Sequence, residues 1–312
     1  MEENTGPGPA PIEPGRPEFR VDAVGLVSRT FGLWSRRIVG YITISAIAAI
    51  GLTALEAGVF LSLFGAAGLS NVGEVSADPL SFLLSLVMST TITSFFTVMA
   101  ILMIVEMVVY AVVGGAVTKL AMDNYSSPQG GTVGDSVSFA FGRVPTLIGS
   151  QLVVSLISTA ILIPLVLVLL TFLTIDIYSP EAVTFALYAI VIMFFSLAAV
   201  LYVTMRFAPL VAVVIGEGLS AVESIKRTFS LTGHRFWHIF GARVLLMIIV
   251  MLFSVVITLF VGMITSNVDP LYSIVYGVIA ALLLNPLDYV FQAVLWKDLL
   301  AREGMESQQQ LW

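Results

Sequence analysis

The sequence holds no cysteine, which excludes disulfides, thiolate nucleophiles and thiolate metal sites. Charge is scarce as well. Only 11% of the 312 residues are Asp, Glu, Lys or Arg, where a soluble domain carries about 25%. Histidine is limited to His234 and His238, which leaves little for hydrolytic or metal chemistry. There is no Gly-rich phosphate loop, no Ser–His–Asp constellation and no metal-ligand cluster, so no metal, cofactor or catalytic residue is expected. Residues 1–20 carry no apolar run, so a cleaved leader is not expected either.

What is present is apolar: 58% of the chain is hydrophobic. So few charges cannot cover a water-facing surface, so much of the surface must face lipid. The apolar runs predict an all-α integral membrane protein with six transmembrane helices, at about 38–64, 95–120, 146–175, 183–204, 240–264 and 271–289. Each reaches the roughly 20 residues that cross the hydrocarbon. Residues 1–19, rich in Pro, Gly and Glu, read as a disordered cytoplasmic tail. Residues 20–304 read as one six-span membrane domain, and 305–312 as a second cytoplasmic tail. The run over 80–122 is too long for one span, and a short interfacial or re-entrant piece is expected before the polar cluster at 89–94. Pro164, Pro209 and Pro286 are expected to kink or break their helices. The charged stretch 296–304 reads as cytoplasmic tail.

The cations set the orientation. All 14 Lys and Arg fall at the N-terminus, in the links after the second and fourth spans with their flanks, or at the C-terminus. None lies in the other three loops, which places both termini in the cytoplasm. Trp34, Trp237 and Trp296 fall at the same boundary, as interfacial anchors do.

Three amphipathic stretches precede pairs of spans: 22–34, 135–144 and 220–231. Val222, Ile225 and Phe229 make an apolar face on the last of them, with Glu223, Lys226, Arg227 and Ser230 on the wet one. Ser220 and Glu223 have capping-box spacing, and Gly233 is a stop signal. Asp22, Asp135 and Ser220 share a cap position, and Arg29-Thr30-Phe31 lines up with Arg227-Thr228-Phe229. The pattern predicts a threefold tandem repeat, each unit a cytoplasmic interfacial helix followed by a transmembrane hairpin.

Phe207-Ala208-Pro209, Glu217-Gly218, Lys226-Arg227-Thr228-Phe229, Leu231-Thr232-Gly233 and Arg235-Phe236-Trp237 carry a resemblance, together with the closing run 295–304. In these residues the chain resembles the prokaryotic membrane domain that is sometimes fused to glycerophosphodiester phosphodiesterases, and its stand-alone relatives. It departs from that pattern at Trp296, Lys297 and Leu300. The resemblance implies the cytoplasmic membrane of a prokaryote. The phosphodiesterase activity belongs to the fused barrel and is not implied here.

Glu106 lies mid-span, where a carboxylate costs about 2.5–3.5 kcal/mol or more. It is either a proton- or ion-coupled site, or a neutral acid bonded to Tyr110 one turn on or to a Ser or Thr of another span. His234 and His238 share a helix face and read as interfacial histidines rather than metal ligands. Arg206 and Glu217 flank Pro209 as a clamp, with Glu217 pairing either with Arg206 or with Arg227. Asp288 reads as a span-end acid near Lys297. Arg206, Glu217, Lys226, Arg227 and Arg235 form either that clamp or a lipid-headgroup site.

The expected partner is the lipid bilayer, with its anionic lipids, and not nucleic acid. The expected function is non-enzymatic: organising or sensing lipid through basic interfacial helices. The alternatives are a small transporter with Glu106 in its path and, third, a membrane enzyme acting on lipid headgroups.

Overall fold

The computed structural model describes residues 17–52, 55, 92–127, 130–172, 180–265 and 269–309, and among these there is no strand. A single 3-10 turn at Pro17–Phe19 precedes α1, Ala23–Arg36. The helix α2 follows over Ile38–Leu52, bent 80° from α1. Then come α3 (Ile92–Ser126), α4 (Val133–Phe172), α5 (Pro180–Arg206), α6 (Leu210–Glu217), α7 (Ala221–Leu231), α8 (Phe236–Thr265), α9 (Asp269–Leu283) and α10 (Asn285–Gln309). Five helical segments are long and apolar enough to cross a membrane, or six if the bent α1–α2 pair counts as one. The far end of the first expected span, the piece before 89–94 and most of the N-terminal tail lie outside the described residues.

Prolines break some helices and not others. Pro209 separates α5 from α6, because it has no N–H to continue the ladder. Pro286 stands second in α10, two residues after the break at Leu284, where an early proline is well tolerated. Pro145 and Pro164 lie inside α4, which runs on without interruption. The expected end of an amphipathic element at Pro145 is therefore corrected: 135–144 are the opening turns of a 40-residue helix.

The chain forms two compact units. One contains Met1–Leu26, Pro145–Val244 and Leu295–Trp312; the other contains Val27–Val144 and Leu245–Val294. In the first, α6 is apolar all round, and Leu210, Val211, Ala212, Val213, Val214 and Ile215 are all buried. Leu147, Leu231, Ile239, Leu295 and Leu299 complete that core. In the second, the core holds Tyr41, Val117, Leu120, Val261, Leu287 and Phe291. Gly114 lets Tyr289 approach: a Cβ there would lie 2.5 Å from the Tyr289 ring. The long helices turn large apolar side chains outward, among them Leu156, Phe194 and Met263, as lipid-facing helices do.

The stretch 296–304, expected as a tail, belongs to α10. Leu287, Val290, Phe291, Val294, Leu295, Asp298 and Leu299 recur at three and four residues, and all are buried. Trp296 is buried with them rather than standing as an interfacial anchor.

Candidate functional site

The densest polar constellation lies in the first unit, where α7 meets the ends of α6 and α10. Its frame is local. Ser220 caps α7: its hydroxyl accepts the Glu223 amide at 3.4 Å, and the Glu223 carboxylate accepts the Ser220 amide at 3.1 Å. The Ser220 hydroxyl and amide hold the Glu223 carboxyl below the usual carboxylate range. Gly218 closes α6 at φ 67°, a left-handed position that favours glycine. Thr232 is the C-cap of α7, and Gly233 follows it directly past the helix end.

Glu217 ends α6, where its negative charge opposes the helix dipole. Arg227 answers it, donating Nε to Glu217 Oε2 at 2.9 Å. The Trp296 indole donates to Glu217 Oε1 at 3.1 Å. Arg227 also grips Glu303 through both terminal nitrogens, at 2.6 Å each. The Glu303 bond, followed by the charge of Glu217, holds the guanidinium above its ordinary range. Of the two pairings open in the sequence, Glu217 thus takes Arg227.

Arg206 takes a different role. It donates to the Phe229 carbonyl at 2.8 Å and lies 3.8 Å over the Phe229 ring. The Thr232 hydroxyl returns a bond to the Arg206 carbonyl at 3.0 Å. Arg235 donates to the Leu231 carbonyl at 3.1 Å. Two of the expected headgroup cations therefore cap the C-terminus of α7, where positive charge suits the dipole. Lys226 is exposed.

Asp298 is fully buried and accepts three donors: the Val21 amide at 2.9 Å, His238 Nε2 at 3.0 Å and Arg302 Nε at 2.9 Å. Arg302 also donates to the Val21 carbonyl, so Val21, two residues ahead of α1, is held through both its backbone groups. His238 is thus not a bare interfacial histidine. Asp298, Trp296 and Glu303 were missed as network members because their stretch read as tail. The signal was Asp298 sitting on the apolar stripe of α10.

Around this junction α7 turns Ser224, Thr228 and Leu231 inward and exposes Val222 (57%) and Phe229 (47%). Val222 and Phe229 thus share the outer surface of α7 with Glu223, Lys226 and Ser230, while small polar side chains pack in beside Leu231. Trp237 is 77% exposed and meets Phe236 and Phe240 edge-on, at 5.3 and 5.8 Å.

Glu106 and Tyr110 lie on α3 in the second unit. Glu106 is half-buried, and no ion pair to it is present among the described residues. Asp288 accepts Gln292 at 2.9 Å, while Lys297 rests over the Phe19 and Trp296 rings. Among the described residues no group of three or more His, Asp or Glu is placed to hold a metal ion.

The cap expected at Asp135 is corrected. Thr132 is the cap: its hydroxyl accepts the Asp135 amide at 3.1 Å and donates to the Asp135 carboxylate at 2.7 Å. Counted from Asp22, Thr132 and Ser220, the fifth residues Leu26, Ser136 and Ser224 are all fully buried, as are Thr30, Ala140 and Thr228.

Comparison of the chain with models of protein families, with curated proteins and with solved structures finds no match.

Proposed function

We propose that the protein is a non-enzymatic, multi-pass component of a prokaryotic cytoplasmic membrane that organises or senses lipid through interfacial helices. The observation that carries this reading is the inside-out face of α7. A helix at a water surface exposes its polar side and buries its apolar one. Here Val222 and Phe229 are outward and Ser224 and Thr228 are inward, which suits a helix whose outer neighbour is lipid. Beside them lie the exposed Lys226 and Trp237, a cation and an indole suited to the headgroup layer.

The carboxylates and guanidinia of the junction neutralise one another, which supports a clamp that fixes α7 rather than a site open to substrate. The shared burial pattern after Asp22, Thr132 and Ser220 supports a threefold repeat, in this corrected register. The placement of all cations on one set of links supports cytoplasmic termini and cytoplasmic interfacial helices.

The test is lipid selectivity. The protein is reconstituted with spin-labelled anionic and zwitterionic lipids, and the motionally restricted fraction of each is measured. Anionic lipid should be preferred, and Lys226→Gln should reduce that preference. Equal association of both lipids with the wild type would reject the reading.

A further inference from the structure

Residues 17–21 lie against α10 before the chain enters α1, and Val21 makes its contact through backbone. Asp298 Oδ1 accepts the Val21 amide at 2.9 Å, and Arg302 donates Nη2 to the Val21 carbonyl. One residue is thus gripped at both its backbone groups by a carboxylate and a guanidinium one turn apart on α10. Two residues back, the Lys297 ammonium stands 5.6 Å from the centroid of the Phe19 ring. Phe19 and Val21 are half-buried, and Glu18, Arg20 and Asp22 are exposed. All these residues belong to the first unit.

Each side of this contact is complete without the other. Asp298 Oδ2 accepts His238 Nε2 at 3.0 Å and Arg302 Nε at 2.9 Å, so the carboxylate keeps two donors when Val21 withdraws. Arg302 likewise keeps Asp298. On the other side, Asp22 caps α1 by itself, accepting the Gly25 amide at 2.7 Å. Ala23 stays seated on α8, where a Cβ on Gly241 would lie 4.0 Å from its own. A hinge between Val21 and Asp22 therefore breaks neither helix and strands no buried charge. Water reaches the Asp298 oxygen and the Arg302 nitrogen that Val21 leaves behind.

What remains on α10 is a preformed acceptor and donor, steadied by His238 and spaced for the N–H and C=O of one extended residue. Such a pair reads backbone and is indifferent to the side chain. Lys297 adds a preference for an aromatic ring two residues earlier. We propose that residues 17–21 are a releasable strap that fills, in cis, a site on α10 for an extended peptide segment of a partner protein. The strap keeps the site closed until such a segment displaces it. The site is separate from the outer side of α7 and does not rest on its lipid reading.

The test uses the full chain in lipid nanodiscs, spin-labelled through Arg20→Cys, an exposed strap position in a chain without native cysteine. The spectrum should contain an immobilised and a mobile component. Val21→Pro removes the donor to Asp298 and should raise the mobile-to-immobilised ratio about tenfold, with Tm unchanged. A peptide with the sequence of residues 17–22, blocked at both ends, should convert the label to the mobile component saturably. It should do so at lower concentration in Val21→Pro, and replacing the peptide's Phe by Ala should weaken it. A spectrum that neither Val21→Pro nor the peptide changes would overturn the proposal. A mobile fraction that appears only as Tm falls would overturn it too, since the strap would then be part of the core. Release by Val21→Pro with no saturable response to the peptide would do the same.

Discussion

At the scale of single residues, Arg227 has the most consequential contacts. It answers a carboxylate whose side chain is 1% exposed and that sits at the wrong end of a helix dipole. Arg227→Ala leaves Glu217 buried with only the Trp296 indole, and should cost about 3 kcal/mol of stability. Thermal unfolding in detergent measures this. Arg227→Lys should cost less, since it keeps the charge but loses the two-pronged grip on Glu303. Glu223 gives a pH signature. Its folded value lies below the ordinary 4.5, so its contribution is present above that value and is lost as pH falls through the folded one. Amide protection over the first turn of α7 should therefore decline on acidification below 4.5, and should stay level in Glu223→Gln. Of these roles the capping box was legible from spacing alone. The choice between Arg206 and Arg227 as the partner of Glu217 was not, because it depends on how α7 folds back over α6.

At the scale of elements, helix ends and close approaches decide most of the architecture. Gly216 faces the Trp296 indole, and a Cβ there would stand 2.5 Å from its Cη2. Gly216→Ala should cost about 1–3 kcal/mol as the indole is displaced from Glu217. A change in Trp296 fluorescence should accompany the loss. Thr132→Ala removes the cap of α4 and should cost about 1 kcal/mol, seen as faster exchange of its opening amides. Asp135 looked like the cap because acidic residues are common there. Thr132 won because its hydroxyl both accepts from and donates to Asp135. The run 296–304 misled for a related reason. Its charges resemble a solvated tail, yet the three-and-four spacing of apolar residues passes through Asp298 unbroken. A carboxylate on a core stripe demands donors, and Val21, His238 and Arg302 supply them from segments far apart in sequence.

At the scale of the whole molecule, the abundance of apolar residues and scarcity of charge made the helical, multi-pass class legible. Partner choice within the junction was not, because it joins residues as distant as Val21 and Asp298. The proposed topology predicts that a single cysteine at Lys226 is labelled by an impermeant maleimide only from the cytoplasmic side. One at Asp269 should be labelled only from the opposite side. The central claim is that α7 lies against lipid with its apolar side chains outward, and the lack of native cysteine makes it directly measurable. Spin labels on single cysteines at Val222, Lys226 and Phe229 should split by collision partner. Val222 and Phe229 should relax faster with oxygen, which concentrates in the acyl region, and Lys226 with a water-soluble nickel chelate. Preferential nickel access at Val222 and Phe229 would contradict the account.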